Sequence, residues 1–166
     1  LEFLLNALSL CKIPVELHLL GMLDDSYKEF LNKNFPFANN HLLVLHSFLP
    51  HHQLSDFISK FDIGLAIEEN LNENKTLTIS NKILQYTQAG LPVLATDTMG
   101  QREVADFFPK SMRIVDIHDV SEWEKSIAYL STIDQSEKEN QKVKYQEVFS
   151  WAAQEEKLNG LISKYL

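Results

Sequence analysis

The residues of this chain whose types and spacing suit chemistry follow short apolar segments. They lie in three polar loops, at residues 47–51, 68–78 and 96–101, and at a predicted helix start at Ser80. Parallel strands that end at one edge of an open α/β sheet bring such loops together, and these sheets bind their ligands at that edge. The sequence therefore predicts a ligand-binding edge made from these segments.

The predicted helix start at Ser80 favours an anion. The first turn of a helix has unpaired N–H groups and the positive end of the helix dipole, so it attracts phosphate. Thr78 or Ser80 is suited to be the N-cap, and Lys82 adds an ammonium group to the first turn. A cation there is unfavourable for the helix alone, but is explained if an anion binds. The alternative is that Thr78 and Ser80 are simple caps and Lys82 is a solvated surface residue.

Motifs of several other site classes do not occur in the chain. The patterns GxGxxG, GxxxxGK[ST] and GxSxG are all missing. His51 and His52 are adjacent and point in different directions on a helix, and only Asp56 lies one turn from His52. We therefore expect no metal site. His18 and His46 lie in predicted strands and are expected to be hydrogen-bonded structural residues.

The composition excludes some classes of partner. The chain has 166 residues and a net charge of −8, and it carries no basic stripe of the kind that holds a nucleic-acid backbone. Its single cysteine, Cys11, cannot form an internal disulfide and fits the packing of a helix face. No apolar run approaches the ~18 to 20 residues that a membrane span needs. We expect a protein of a reducing compartment, in the cytoplasm or at a membrane surface.

Helical and strand-like segments alternate along the chain and predict the α/β class. Such alternation is typical of right-handed strand–helix–strand units around a parallel sheet, with helices on both faces. We expect one domain, residues 1–166, with about five strands and no internal repeat. The predicted strands are 13–20, 41–46, 62–67, 92–96 and 112–116, and the predicted helices are 1–12, 26–34, 51–60, 80–89, 101–108, 121–130, 137–149 and 151–166.

The segment that ends the fourth helix and begins the fourth strand carries a resemblance to a known family. It reads K-I-L-Q-Y-T-Q-A-G-L-P-V-L-A-T over residues 82–96, with Gly90 as a helix stop, and Gly100 and Glu103 follow it. The segments I-P-V-E-L-H-L-L-G (13–21) and F-S-W-A-A-Q (149–154) also match, in the right order. The chain thus resembles the C-terminal, donor-binding domain of retaining GT-B glycosyltransferases, the "group 1" family.

This resemblance implies a Rossmann-like half of a larger, two-domain enzyme. The family's domain begins with a strand and with an Arg and a Lys that hold the diphosphate, whereas this chain opens within an amphipathic helix at Leu1. We therefore expect a fragment whose first strand lies upstream. The acceptor, a glycan or a lipid-linked glycan, would bind to the N-terminal domain.

The resemblance also implies a reaction and a set of binding residues. The reaction is transfer of a hexosyl unit from a nucleotide-sugar with retention of configuration, without a metal or another cofactor. The catalytic residues stay unassigned. The implied sites are Ser47, Phe48 and Leu49 for the base, Gln85 for the ribose, Thr78, Ser80, Asn81 and Lys82 for the diphosphate, and Glu68, Glu73, Gly100 and Glu103 for the sugar.

Two positions depart from the family's pattern and keep alternatives open. The family's pair of acids falls on Leu77 and Gln85. Gln85 can still hydrogen-bond a ribose diol, but without a charge, and Leu77 cannot replace a carboxylate. One alternative is a degenerate, non-catalytic module that binds a partner. Another is a different α/β domain, such as a receiver or half of a sugar-nucleotide epimerase.

Overall fold

The helices and strands of the chain alternate as the sequence predicts. The computed structural model describes residues 2–35, 40–68, 73–116 and 118–165. The elements are α1 (Glu2–Leu10), β1 (Glu16–Leu20), α2 (Asp25–Asn34), β2 (Leu42–His46), α3 (His51–Ile58), β3 (Gly64–Ala66), α4 (Glu73–Leu77), α5 (Asn81–Gln88), β4 (Val93–Thr96), α6 (Met99–Ala105), β5 (Met112–Val115), α7 (Val120–Leu130), α8 (Gln135–Phe149) and α9 (Trp151–Tyr165). The predicted α/β class is confirmed.

The strands form two parallel sheets, where the sequence suggested one. β1 pairs with β2, from Glu16 opposite Leu42 to Leu20 opposite His46. The other sheet has the order β3-β4-β5, with β4 in the centre. Within the described residues no strand pairing joins β1 or β2 to the second sheet. The prediction of about five parallel strands is confirmed, but they do not form a continuous sheet.

β4 is the most deeply buried strand. Val93, Leu94 and Ala95 are completely buried, as expected for an apolar run that helices cover on both faces. Leu94 packs in the core beneath α7, which also buries Trp123. Val93 and Ala95 face the other way, into the core beneath α5 and α6. This arrangement of helices on both faces is compatible with a Rossmann-like fold.

Local signals correctly placed several element ends. Asp24 caps α2, because its carboxylate accepts a hydrogen bond from the Tyr27 amide at 2.7 Å. Gly90 has a φ of +73°, the left-handed conformation that commonly ends a helix. Cys11 is buried, and its thiol donates to the carbonyl oxygen of Ile13 at 3.6 Å. Burial raises the pKa of this thiol.

Other boundaries differ from the sequence prediction. Residues 73–77 form the short helix α4, although the whole stretch 68–78 reads as a loop, of which 69–72 lie outside the described residues. α6 begins at Met99, two residues before the predicted start, because the Thr98 hydroxyl accepts from the Gln101 amide at 3.2 Å. α8 likewise begins at Gln135, where Asp134 caps it. A hydroxyl or carboxylate cap starts these helices earlier than hydrophobic periodicity alone indicates.

His18 and His46 are hydrogen-bonded, as predicted. The Nδ1 atom of His18 lies 2.8 Å from the Nε2 atom of His46, across the pair β1 and β2. The rings stack with centroids 5.1 Å apart, and Phe61 packs against His18. His18 Nε2 also lies 3.2 Å from a carboxylate oxygen of Glu16. His51 and His52 are exposed at the start of α3, and in the described part of the chain they belong to no group of three or more His, Cys, Asp or Glu side chains that could hold a metal ion.

Candidate functional site

Two of the predicted loops meet at the carboxyl ends of β3 and β4. The hydroxyl of Thr96, at the end of β4, accepts a hydrogen bond from the Glu68 amide at 2.8 Å. The same hydroxyl donates to the carbonyl oxygen of Glu68 at 2.7 Å. These bonds hold the segment after β3 against the end of β4. Two of the loops that the sequence places at one edge of the sheet are therefore in contact, and ligand binding at this edge stays a prediction.

The helix that starts at this edge, α5, is capped by Ser80. The Ser80 hydroxyl accepts from the Ile83 amide at 3.4 Å, and Ser80 has the extended backbone of an N-cap. Thr78, the other candidate, ends α4 instead, since its hydroxyl donates to the carbonyl oxygen of Asn74 at 2.6 Å. Asn81 is exposed in the first turn. The first-turn amides of Asn81 and Lys82 precede the amide that Ser80 caps and remain directed toward the helix start.

Lys82 has an acidic partner in the chain itself. Its ammonium nitrogen lies 2.7 Å from a carboxylate oxygen of Glu68 and 3.3 Å from the carbonyl oxygen of Ile67. The Lys82 side chain is 47% exposed and that of Glu68 23%. Lys82 is therefore an exposed residue whose ammonium group already has an acidic partner, and its contact with a phosphate stays a prediction. A half-exposed ion pair of this type contributes only about 0–1 kcal/mol, so a phosphate can compete with Glu68 for the ammonium group.

Gln85 and Leu77 stand where the resemblance expects acids. Gln85 is half-buried and lies one turn beyond Asn81 and Lys82, on the same side of α5. Leu77 is 61% exposed at the end of α4. It lines an open hollow of about 350 Å³ together with Met99, Gly100, Arg102, Glu103 and Asp106. The hollow thus has an apolar side chain at the position of the expected sugar-binding acid.

Gly100 allows α6 to approach the segment that leads into α5. A Cβ atom on Gly100 would lie 2.5 Å from the carbonyl carbon of Thr78 and 2.8 Å from the amide nitrogen of Ile79. Such contacts are far inside van der Waals distance. The sequence reasoning expected the glycine to make room for a ligand. In the structure the close neighbour is protein backbone, and contact with a sugar stays a prediction.

The remaining predicted sugar-binding residues are only partly placed. Glu103 is exposed on α6, beside the hollow. Glu73 begins α4, but its side chain lies outside the described residues. Glu68 is held by Thr96 and Lys82, as described above.

The predicted base-binding residues follow β2, in the other sheet. Ser47 and Phe48 are exposed and Leu49 is half-buried. In the described parts of the chain no hydrogen bond or ion pair connects them to the start of α5. The structure therefore gives no direct contact between the predicted base site and the predicted diphosphate site.

Sequence reasoning missed two features of α6. Arg102 forms a bidentate ion pair with Asp97, through Nε and Nη2, and its hydrogen bonds lower the pKa of the Asp97 carboxyl. Gln101 is fully buried, and neither polar atom of its amide has a hydrogen-bond partner within the described residues. The sequence signal that could have predicted both features is Thr98, because threonine is a common N-cap residue. A helix that starts at Met99 brings Arg102 back toward Asp97 and turns Gln101 inward.

Two properties of the described residues bear on metal and membrane binding. No group of three or more His, Cys, Asp or Glu side chains there is arranged to hold a metal ion. None of the helices described here is both long and apolar enough to cross a membrane.

The comparisons with known proteins identify no family for this chain. No protein-family model matches it, and no curated protein matches it significantly. The class that fold and site define is a parallel α/β domain. Its polar edge joins β3, β4 and the start of α5.

Proposed function

We propose that this chain is the donor-binding domain of a glycosyltransferase. The enzyme moves a hexosyl unit from a nucleotide-sugar to a glycan or a lipid-linked acceptor. The observation that carries the proposal is the start of α5. This helix, capped by Ser80, begins beside the carboxyl ends of β3 and β4 and presents Asn81 and Lys82 in its first turn. The resemblance of residues 82–96 to the glycosyltransferase family indicates a nucleotide-sugar as the ligand of this helix start.

The roles of the residues follow from the chemistry of the donor. The amides of Asn81 and Lys82 bind the diphosphate, with Ser80 holding the turn, and the Lys82 ammonium exchanges Glu68 for a phosphate oxygen. Gln85 bonds the ribose diol from the next turn of α5. Catalysis is mostly positioning of the donor and electrostatic stabilisation of the departing diphosphate.

The remaining roles are assigned on the resemblance. Ser47, Phe48 and Leu49 bind the base, Thr78 supports the helix start, and Glu68, Glu73, Gly100 and Glu103 lie around the sugar. The donor is used without a metal or another cofactor. The acceptor binds to an N-terminal domain outside this chain. We place the enzyme in the cytoplasm or at a membrane surface.

A second candidate function is a transferase-like module that binds a partner without catalysis. It is favoured by Leu77, an exposed apolar residue at the position of one expected acid, and by the uncharged Gln85 at the other. Sugar transfer by the full-length protein would exclude this candidate.

Calorimetric titration with UDP, GDP and ADP tests the proposed donor site. At least one of the three should bind. Lys82→Ala should weaken that diphosphate about tenfold, which corresponds to ~1.4 kcal/mol, and leave the affinity for the nucleoside nearly unchanged. Glu68→Gln should strengthen diphosphate binding, because it frees the Lys82 ammonium that Glu68 now holds at 2.7 Å.

The matched control is Lys60→Ala, an exposed lysine that follows α3 in the other part of the fold. It removes the same charge from the protein and should leave binding unchanged. Equal losses for Lys82→Ala and Lys60→Ala would show only a general charge effect. The proposal would be contradicted if Lys82→Ala lowered the affinity for the nucleoside as much as the affinity for the diphosphate. It would also be contradicted if the parent protein bound none of the three diphosphates.

A further inference from the structure

The open hollow beside α6 has one apolar wall. Leu77, at the end of α4, and Met99, at the start of α6, are each 61% exposed, and both line the hollow. Its volume of about 350 Å³ is near the lower end of the range of about 300–1,000 Å³ for ligand pockets. This size suits one sugar ring with a substituent, but not an extended glycan.

The other wall of the hollow is polar and belongs to one side of α6. Arg102, Glu103 and Asp106 line this wall. They follow Met99 by three, four and seven residues, so they share its side of the helix. Arg102 is paired with Asp97 through Nε and Nη2, which uses two of the five N–H groups of its guanidinium and leaves three. The hollow therefore combines hydrogen-bond donors, carboxylate acceptors and an apolar surface.

The hollow adjoins the start of α5, where the diphosphate is proposed to bind. Leu77 is three residues before Ser80, so their Cα atoms are at most ~11 Å apart. Gly100, which also lines the hollow, approaches the same connection so closely that a Cβ atom on it would lie 2.8 Å from the Ile79 amide nitrogen. A sugar that is joined to a phosphate at this helix start therefore has the hollow beside it.

A sugar that carries only hydroxyl groups matches this hollow poorly. A hydroxyl group that turns toward Leu77 or Met99 loses water and gains no hydrogen bond, which is unfavourable. A sugar acid is also unsuitable, because among the described lining residues the carboxylates of Glu103 and Asp106 outnumber the one cation, Arg102. An acetamido group has a carbonyl acceptor, an N–H donor and a methyl group. It thus offers one group for each of the three kinds of surface.

We propose that the donor sugar is an N-acetylated amino sugar, an inference that rests on the proposed function and names the class of sugar for the same site. The acetamido carbonyl oxygen accepts from Arg102, and the acetamido N–H donates to a carboxylate of Glu103 or Asp106. The methyl group packs on Leu77 and Met99. The exposed apolar side chain at position 77, where the resemblance expects an acid, then selects this substituent.

Titration with sugar 1-phosphates, followed by nuclear magnetic resonance, tests this inference, because these probes carry the sugar and a phosphate without any base. N-acetylglucosamine 1-phosphate is compared with glucose 1-phosphate, and N-acetylgalactosamine 1-phosphate with galactose 1-phosphate. In at least one pair the acetamido form should bind about tenfold more tightly. This is the lower limit of the ~10–200-fold that a hydrophobic pocket gives for one methylene group, because the hollow is open.

Leu77→Glu should remove this preference. The added carboxylate accepts hydrogen bonds from sugar hydroxyls and takes away the apolar contact of the methyl group, so glucose 1-phosphate should gain on N-acetylglucosamine 1-phosphate. The matched control is Leu158→Glu, because Leu158 is 56% exposed on α9 and is not among the residues that line the hollow. It makes the same chemical change and should leave the ratio of the two affinities as in the parent protein.

The outcomes separate this inference from the proposed function. Equal binding within both pairs, or no binding of any of the four probes, would overturn the inference alone if UDP, GDP or ADP binds. Tighter binding of glucosamine 1-phosphate than of its N-acetylated form would overturn it as well, since the carboxylates would then select an ammonium group. A preference that persists in Leu77→Glu would contradict the role of Leu77. If none of the three nucleoside diphosphates binds, the proposed function fails and the inference fails with it.

Discussion

Replacing Gly100 by alanine should separate α6 from the segment that leads into the proposed diphosphate site. The added Cβ would overlap the Thr78 carbonyl group, with its carbon 2.5 Å away, and the Ile79 amide nitrogen at 2.8 Å. Carbon atoms in good contact are about 3.5–4.0 Å from their neighbours, so one backbone must move by about 1 Å. Both groups in the clash belong to the main chain, and no side-chain rotation can relieve it.

The expected cost combines two opposing effects. Overpacking of a well-packed site costs about 1–3 kcal/mol, while alanine in a helix is more favourable than glycine by up to ~1 kcal/mol. We expect a net loss of about 1–2 kcal/mol in the free energy of unfolding. For a chain of this length, 1 kcal/mol corresponds to about 2–4 °C in Tm, so the Tm should fall by roughly 2–8 °C.

Thermal and urea unfolding, followed by circular dichroism, measure this loss. Gly160→Ala is the matched control, because Gly160 lies inside α9 and a Cβ there would meet nothing within 4 Å. It should raise the free energy of unfolding by up to ~1 kcal/mol. A Gly100→Ala protein as stable as the parent, or stabilised like Gly160→Ala, would refute the close approach of α6. In the folded variant, diphosphate binding should also weaken.

Three further changes test other contacts. Gly64→Ala puts a Cβ 2.6 Å from the Cδ2 atom of the Tyr86 ring, so it should lower the free energy of unfolding, measured with urea, by about 1–3 kcal/mol. Adding Tyr86→Leu should recover part of that loss, and additive effects of the two changes would contradict the contact. Gln141→Leu leaves the buried carbonyl oxygen of Leu91 without its 2.8 Å hydrogen bond and should cost about 1–3 kcal/mol; no loss would mean that the bond is dispensable. The lowered pKa of Asp97 means that its stabilising ion pair is complete above the ordinary carboxyl pKa and is lost as the pH falls through the lowered value. Arg102→Gln should raise the pKa of Asp97 in an NMR titration and reduce acid-dependent destabilisation, and identical titration curves would exclude the pairing.

The stretch around β4 was predictable because its signals are local. Ser80 caps α5 through an amide three residues away, Gly90 takes the left-handed conformation at the helix end, and the apolar run after Pro92 forms the buried strand. Each of these choices depends on neighbours within about one helical turn. For that reason they can be read from the order of residues alone.

The start of α6 shows where local reading fails. Gly100 reads as a loop residue, yet it lies in the first turn of a helix that Thr98 caps. A side chain at this position would clash with the Thr78–Ile79 backbone, which lies about twenty residues earlier in the chain. A glycine required by a distant backbone contact has the same sequence signature as a glycine required by a turn.

The proposed diphosphate site likewise combines a feature that the sequence predicts with contacts that only the tertiary structure shows. The sequence placed Lys82 in the first turn of α5, but only the tertiary structure gave it Glu68 as a partner and tied Glu68 to Thr96. Ion pairs between residues far apart in the chain depend on which loops the sheet brings together. The tertiary structure thus gives the Lys82 ammonium group an acidic partner that the order of residues does not indicate.

By itself the sequence determined the alternation of helices and strands, the burial of β4 and the start of α5, because periodicity and capping act over a few residues. The tertiary structure alone decided how the strands pair. It divided them into β1–β2 and β3-β4-β5 and packed α1 in one core with residues of both sheets. Strand pairing joins segments that are distant in the chain, and an apolar strand carries no local mark of the neighbour it will have.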